Sequence, residues 1–242
     1  MNLFLFKNFL FPFSSLAIYN MLGCITCNKQ IQKAIFNSTF YPNLLVMLSP
    51  FLLLGVIVAL LAALSTKRHQ ARLTTYREQL LLNPVPLTSV ATILGIGIGG
   101  FIDGIFLHQI LQWHEMISNK MPPTTYVTKS VNMFWDGIFH AFTLLVTIVG
   151  IVMLWKLLHR KNIDRSGNLM AGGLVLGWGL FNIVEGIMDH HVLKLHNVRE
   201  VTTNMAAWNY GFLLFSVLLI IIGWRLVHQN KTAPEANNSH SI

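Results

Sequence analysis

The sequence predicts an all-α integral membrane protein, a bundle of five transmembrane helices, and three observations predict it. The first is composition: 53% of the 242 residues are hydrophobic and 11% are charged, roughly half the charged share of a soluble domain, with a mean hydropathy of +0.55. The second is length. Five apolar stretches, residues 43–65, 87–113, 131–156, 169–190 and 207–228, each reach the roughly 20 residues that cross a bilayer at 1.5 Å rise. Hydrocarbon offers no water to backbone N–H and C=O groups, so each stretch satisfies them as a helix. The third is where the basic residues fall. Lys67, Arg68, Arg72, Arg77, Arg160, Lys161 and Arg165 lie in loops 66–86 and 157–168, against Lys120, Lys129, Lys194 and Arg199 in loops 114–130 and 191–206. The formal charge of +8 then belongs to a membrane surface, with lipids as partners and no nucleic acid.

Taken in order, residues 1–42 form an N-terminal anchor or interfacial segment. Lys7 and Pro12 interrupt LFLFKNFLFPFSSLAIYNML, which leaves open a sixth membrane helix and a signal-like segment. Cys24 and Cys27 make a lone CITC, read more simply as apolar residues of an anchor than as a redox or metal pair. Residues 43–228 are the transmembrane bundle, with a four-helix core over 87–228. The richer basic loops are expected on the cytoplasmic side. Residues 229–242 are then a disordered polar tail at a cytoplasmic C-terminus, in the cell's inner (cytoplasmic) membrane. Trp113, Trp135 and Trp208 near the outer ends, and Trp155 and Trp224 near the inner ends, suit an aromatic belt.

The unusual residues are acids. GFIDGIFLHQ (100–109), FWDGIFHAF (134–142) and IVEGIMDHH (183–191) each carry an acid followed by Gly and Ile, with His four or five positions after the acid. Asp103, Asp136, Glu185 and Asp189 are four of the nine acids of the chain, each inside a span at an insertion cost of about 2.5–3.5 kcal/mol. The span order puts Asp103, His108, Asp136, His140, Glu185, Asp189, His190 and His191 in one half of the membrane, the outer half. His114 and His196 are expected just beyond, at the rim. Asn132, Asp136, His140, Thr143 and Thr147 form one helical stripe, and Asn182, Glu185 and Asp189 another. Asp103 and His108 fall about 140° apart on a regular helix. Their helix is therefore central, touching two neighbours, or bends near Gly104. His190 and His191 point about 100° apart, so one is a ligand or donor and the other rim. Gly95 and Gly99, Gly100 and Gly104, and Gly173 and Gly177 have the small-xxx-small spacing of close helix contact.

Three readings compete for the cluster. Carboxylates and imidazoles from several helices suit a transition metal, zinc or copper before iron. A metal-free core would register the helices by Asp–His hydrogen bonds, although such bonds average only about 0.6 kcal/mol. A proton relay would use the same residue types, but the inner half is apolar, with runs such as TLLVTIVGIVMLW. The metal reading has two versions. A hydrolase or redox enzyme would use Asp136 or Glu185 as general base. A binding protein would handle metal for, or help assemble, a membrane metalloenzyme. The residues leave enzyme and binding protein equally open.

GIGIGGFIDGIFLHQILQWHEM, PPTT, NMFWDGIFHAFT and GWGLFNIVEGIMDHHVLKLHNVRE together resemble a bacterial membrane family catalogued as domain of unknown function 2243. The resemblance covers about residues 87–228. It implies a four-helix membrane core with Asp103, His108, His114, Asp136, His140, Glu185, His190, His191 and His196 in matching positions. Where family members carry a second His after the one at 114, this chain has Glu115, so the resemblance gives Glu115 no ligand role.

Overall fold

The computed structural model describes residues 25–75, 83–160 and 163–229. A short helix α1 (Lys29–Ile35) precedes α2 (Phe40–Thr75), α3 (Val85–Ile102), α4 (Tyr126–Leu158), α5 (Gly167–Glu185) and α6 (Met205–Gln229). Helices α3 and α5 continue into π-helical segments, π1 (Asp103–Ile110) and π2 (Gly186–Val192). Five helices are long and apolar enough to span: Phe40–Ala71, Val85–Ile110, Tyr126–Leu158, Gly167–Val192 and Met205–Gln229. They are the five the sequence predicts. The N-terminal segment up to residue 24, with Cys24, and the tail from residue 230 lie outside the described residues.

The spans are cut cleanly by local chemistry. Thr125 caps α4 by accepting from Thr128 N–H, and the Thr128 hydroxyl accepts from Thr125 N–H in return, which satisfies donors a helix start leaves over. Ser166 caps α5 through Leu169 N–H. Outward faces carry unbroken apolar surface, such as Leu53, Leu61, Leu145, Ile151, Leu214 and Ile222. A soluble chain does not expose so much contiguous hydrocarbon.

Helices α3 and α5 run side by side at the centre, α4 packs on α3, and α6 packs on α5. The central contact is backbone on backbone. A Cβ on Gly95 would overlap the Leu174 carbonyl, and a Cβ on Gly177 would overlap the Thr92 carbonyl. Leu174 lies 82 residues after Thr92, and Gly177 lies 82 after Gly95. The contact is thus reciprocal, as at a two-fold axis. The starts of α3 and α5, Val85 and Gly167, keep the same offset. The two hairpins, α3–α4 and α5–α6, are related by a pseudo-two-fold along the membrane normal, a common plan for membrane proteins built from repeats. Helix α2 lies outside this plan and packs on α3, α4 and α5. Its Phe51 stacks on Phe181, 5.0 Å between ring centres, and meets Phe139 at 5.6 Å.

Candidate metal centre

The two-fold is sharpest where the unusual residues sit. DGIFLHQILQWH (103–114) and EGIMDHHVLKLH (185–196) adopt the same path. Each acid opens or immediately precedes a π-turn, whose wider i→i+5 bonding brings residues five apart onto one face. That resolves the 140° separation expected for Asp103 and His108: Asp103 Oδ2 lies 3.1 Å from His108 Nε2. After each π-segment the chain breaks in the same way. Leu111 N–H bonds the Phe106 carbonyl and Trp113 N–H the Leu107 carbonyl, while Leu193 and Leu195 repeat this with Met188 and Asp189. Gln112 and Lys194 then take φ of 49° and 50°, left-handed conformations that cost a non-glycine residue roughly 1–2 kcal/mol.

That reversal corrects the expectation for His114 and His196. A straight helix would carry both past the membrane rim. Instead the left-handed turn folds them back into the bundle, where their exposures are 2% and 0%. His108, His114, Glu185 and His196 each offer a ligand atom, and the four atoms lie within 4.8 Å of one another. Two members come from each repeat. All four are buried.

The remaining expected residues fall into three positions. Asp136 stands behind the cluster: its Oδ1 accepts from His108 Nδ1 at 2.9 Å and from Met116 N–H at 2.8 Å. Asp103, Asp189 and His190 are buried beside it. The His190 ring lies 4.8 Å from that of His196, while neither His190 nitrogen nor the Asp189 carboxylate has a hydrogen-bond partner. His140 and His191 are turned onto their own helices, donating from Nδ1 to the carbonyls of Asp136 and Gly186, each at 2.6 Å. His191 also packs on Tyr210. Neither joins the group of four. Adjacent His190 and His191 thus separate, as a helical step requires.

The hydrogen bonds fix the tautomers. His114 Nδ1 donates to the Val198 carbonyl at 2.8 Å, leaving a lone pair on Nε2 when the ring is neutral. Burial, with the neighbouring His108, pushes the His114 imidazole down to about 4, so it is neutral in ordinary conditions. Burial likewise holds His196 well below the usual imidazole range. Neutral imidazole is the metal-binding form. His108 Nδ1 faces a carboxylate, so its Nε2 also points away from its partner. The two Nε2 atoms meet at 2.9 Å. His108 Nε2 also lies 3.1 Å from Asp103 Oδ2, so a cation, either a proton or a metal ion, belongs between it and these neighbours. A tetrahedral ion with bonds of about 2.0–2.1 Å would set ligand atoms about 3.3 Å apart, a small adjustment.

The loops after the two π-segments lock this arrangement. Glu200 N–H bonds the Trp113 carbonyl and Asn119 N–H the Leu195 carbonyl, both at 2.9 Å, again a reciprocal pair. The Ser118 hydroxyl bonds Glu200. Asn132 and Asn209 accept from Ile117 and Val198 N–H. Burial and the Asp136 charge push Glu115 up to about 7.

Sequence reasoning put His108 and Glu185 among the candidate ligands and kept His114 and His196 as possible rim residues. The signal that could have found them was the 82-residue repeat itself, acid-x4-His-x5-His in both copies. The third acid–His stretch at 134–142, in regular α-helix, distracted from it. A family described as predicted membrane protein (DUF2243) matches residues 90–230. No curated protein and no solved structure matches the chain.

Proposed function

We propose that this chain, which belongs to the DUF2243 family of predicted membrane proteins, holds a transition-metal ion between its two repeats, for metal handling or metal-dependent chemistry near the outer leaflet. The observation that carries the reading is the convergence of His108, His114, Glu185 and His196 within 4.8 Å, with the Nε2 atoms of His108 and His114 2.9 Å apart. Three nitrogens and a carboxylate oxygen suit zinc or copper(II) before iron. Asp136 would set the tautomer of His108 and raise its basicity, the ordinary task of a carboxylate behind a metal-bound imidazole. Glu185, Asp103 and Asp189 are buried neighbours of like charge, and a divalent cation would offset their mutual repulsion. When bound, such an ion supplies Lewis acidity or redox capacity.

The competing reading is a protonated His108 donating to His114, a metal-free polar core. The 2.9 Å contact between the two rings favours it. It leaves Glu185, His190 and His196 without hydrogen-bond partners, and so accounts for less of the cluster. Elemental analysis of protein purified without chelator decides between them. About one ion per chain is expected, together with a higher melting temperature on adding zinc or copper. Metal-free protein with an unchanged melting temperature would sink the metal reading. Asp136→Asn is expected to weaken metal binding about 10–100-fold without removing a ligand, measured by chelator competition. Unchanged affinity would mean that Asp136 serves only the Met116 amide.

The outward-facing orientation rests on the basic loops. With Cys24 and Cys27 replaced by Ser, a cysteine at exposed Val201 should react with an impermeant thiol reagent in whole cells. One at exposed His159, at the opposite end of α4, should react only after lysis. The reverse pattern would put the site at the inner leaflet and the C-terminus outside.

A further inference from the structure

The pseudo-two-fold creates two equivalent clefts, and the described residues fill one of them. Over α3, between α4 and α5, Phe51 of α2 plugs the space against Phe139, Phe142 and Phe181, in one apolar cluster with Ile96. Trp178 is the repeat counterpart of Ile96, 82 residues on. It lines the matching cleft over α5, between α3 and α6, and no helix of the described chain covers it. What remains is a cavity of about 550 Å³, within the range of small-molecule sites.

Its walls are aromatic: Phe106, Trp113, Trp178, Trp208, Phe212 and Phe215. At the outer end Trp113 and Trp208 meet edge to face at 5.0 Å, with the Arg199 guanidinium over both rings. Two polar side chains line it, Asp103 and Asn182. Both are buried, at 4% and 2% exposure, and Asn182 Oδ1 has no hydrogen-bond partner. Asp103 also touches His108, so the cavity ends against the histidine cluster.

We infer that this cavity binds a lipid-soluble hydroxylated aromatic, a quinol, with its ring between the tryptophans and a hydroxyl donating to Asn182 Oδ1 beside Asp103. The chemistry selects this class. A buried acceptor without a partner costs free energy until a donor arrives. A lipid acyl chain would fill the volume and leave Asn182 Oδ1 unpaired. Flat rings stack against tryptophan faces, and a quinol tail can extend into the bilayer. The inference deepens the metal reading by giving that site a substrate class, and it rests on that reading for function but not for binding.

The test uses the full chain in detergent, with and without added zinc or copper, and decyl-ubiquinol under argon as the probe, followed by quenching of tryptophan fluorescence and by equilibrium dialysis. Saturable binding of one quinol per chain is expected. Asn182→Leu, and separately the quinol's dimethyl ether on the wild-type protein, should each bind about tenfold more weakly. Gly211 lines the cavity, and a Cβ there meets nothing within 4 Å. Gly211→Phe should therefore fill the space and abolish binding, while the melting temperature and metal content stay as in wild type. Non-saturable binding, an ether that binds as well as the quinol, or a Gly211→Phe protein that still binds would each overturn the inference. Protein that takes up no zinc or copper when these are added, yet binds the quinol saturably, would retire the metal reading and leave this one standing.

Discussion

His114→Ala protein is expected to fold and to lose its metal, with affinity falling more than about 100-fold. Removing a side chain that only orients a ligand costs roughly 10–100-fold, and His114 offers a ligand nitrogen directly. Its Nδ1 is already committed to the Val198 carbonyl, so Nε2 has a fixed direction. His196→Ala should behave alike, since His196 is its counterpart in the other repeat and is fully buried. His159→Ala and His228→Ala are the controls: each ring bonds its own helix at the opposite end of the bundle. Bound metal is read by elemental analysis after dialysis against a weak chelator, with a thermal melt to confirm folding. Equal occupancy across all four variants would place the ion elsewhere, and the group of four would then be a hydrogen-bonded core.

Gly177→Leu should be the most damaging single change outside the site, costing about 3 kcal/mol or more. Overpacking in a close-packed interior ordinarily costs about 1–3 kcal/mol, and a flexible neighbour can often yield. Here the obstruction is backbone, the Thr92 carbonyl and the Gly95 Cα, so the two central helices must part. Parting them also separates His108 from Glu185, so metal affinity should fall with stability. Gly55→Leu, where a Cβ meets nothing within 4 Å, should be neutral or slightly stabilising, because leucine is the better helix former by somewhat under 1 kcal/mol. Denaturation in mixed detergent gives both numbers. Similar losses for the two variants would mean that α3 and α5 do not meet through Gly95 and Gly177.

The spans were legible because a membrane makes hydropathy and length nearly sufficient, and the observed helices extend the expected ranges mainly by a turn or so at their ends. Helix α2 is the exception, running on to Thr75 through Lys67 and Arg68, where composition alone suggested a loop. The depth of the acids was legible too, since span order alone puts them in one layer. Ligand geometry was not. A 3.6-residue wheel separates Asp103 from His108, and nothing in that arithmetic announces a π-turn. Nor does it announce the left-handed Gln112 and Lys194 that turn His114 and His196 inward, because neither position is a glycine or an asparagine. The polar stripe through Asp136 and His140 pointed to a ligand pair. The fold places Asp136 behind His108, and His140 packs against Gly104, where a Cβ would meet its ring at 2.5 Å. Comparing the chain with itself, rather than with helical wheels, would have exposed the paired histidines.

The reciprocal glycine contact carries a consequence for ancestry. A two-fold between parallel hairpins is what a homodimer of a two-span peptide would make, each copy giving one acid and two histidines to a shared pocket. Such a dimer is bound to treat its two sides alike. Gene duplication and fusion would lift that constraint, and the two hairpins of this chain differ in opposite directions. The first hairpin gained Asp136 to steer His108, whereas the matching ring, His190, has no such carboxylate. The second hairpin carries Asn182 where the first has Gly100, and no helix among the described residues covers its flank, whereas α2 packs on the other. A symmetric metal clasp would thereby have acquired a front and a back, so that whatever reaches it from the bilayer arrives from one direction only.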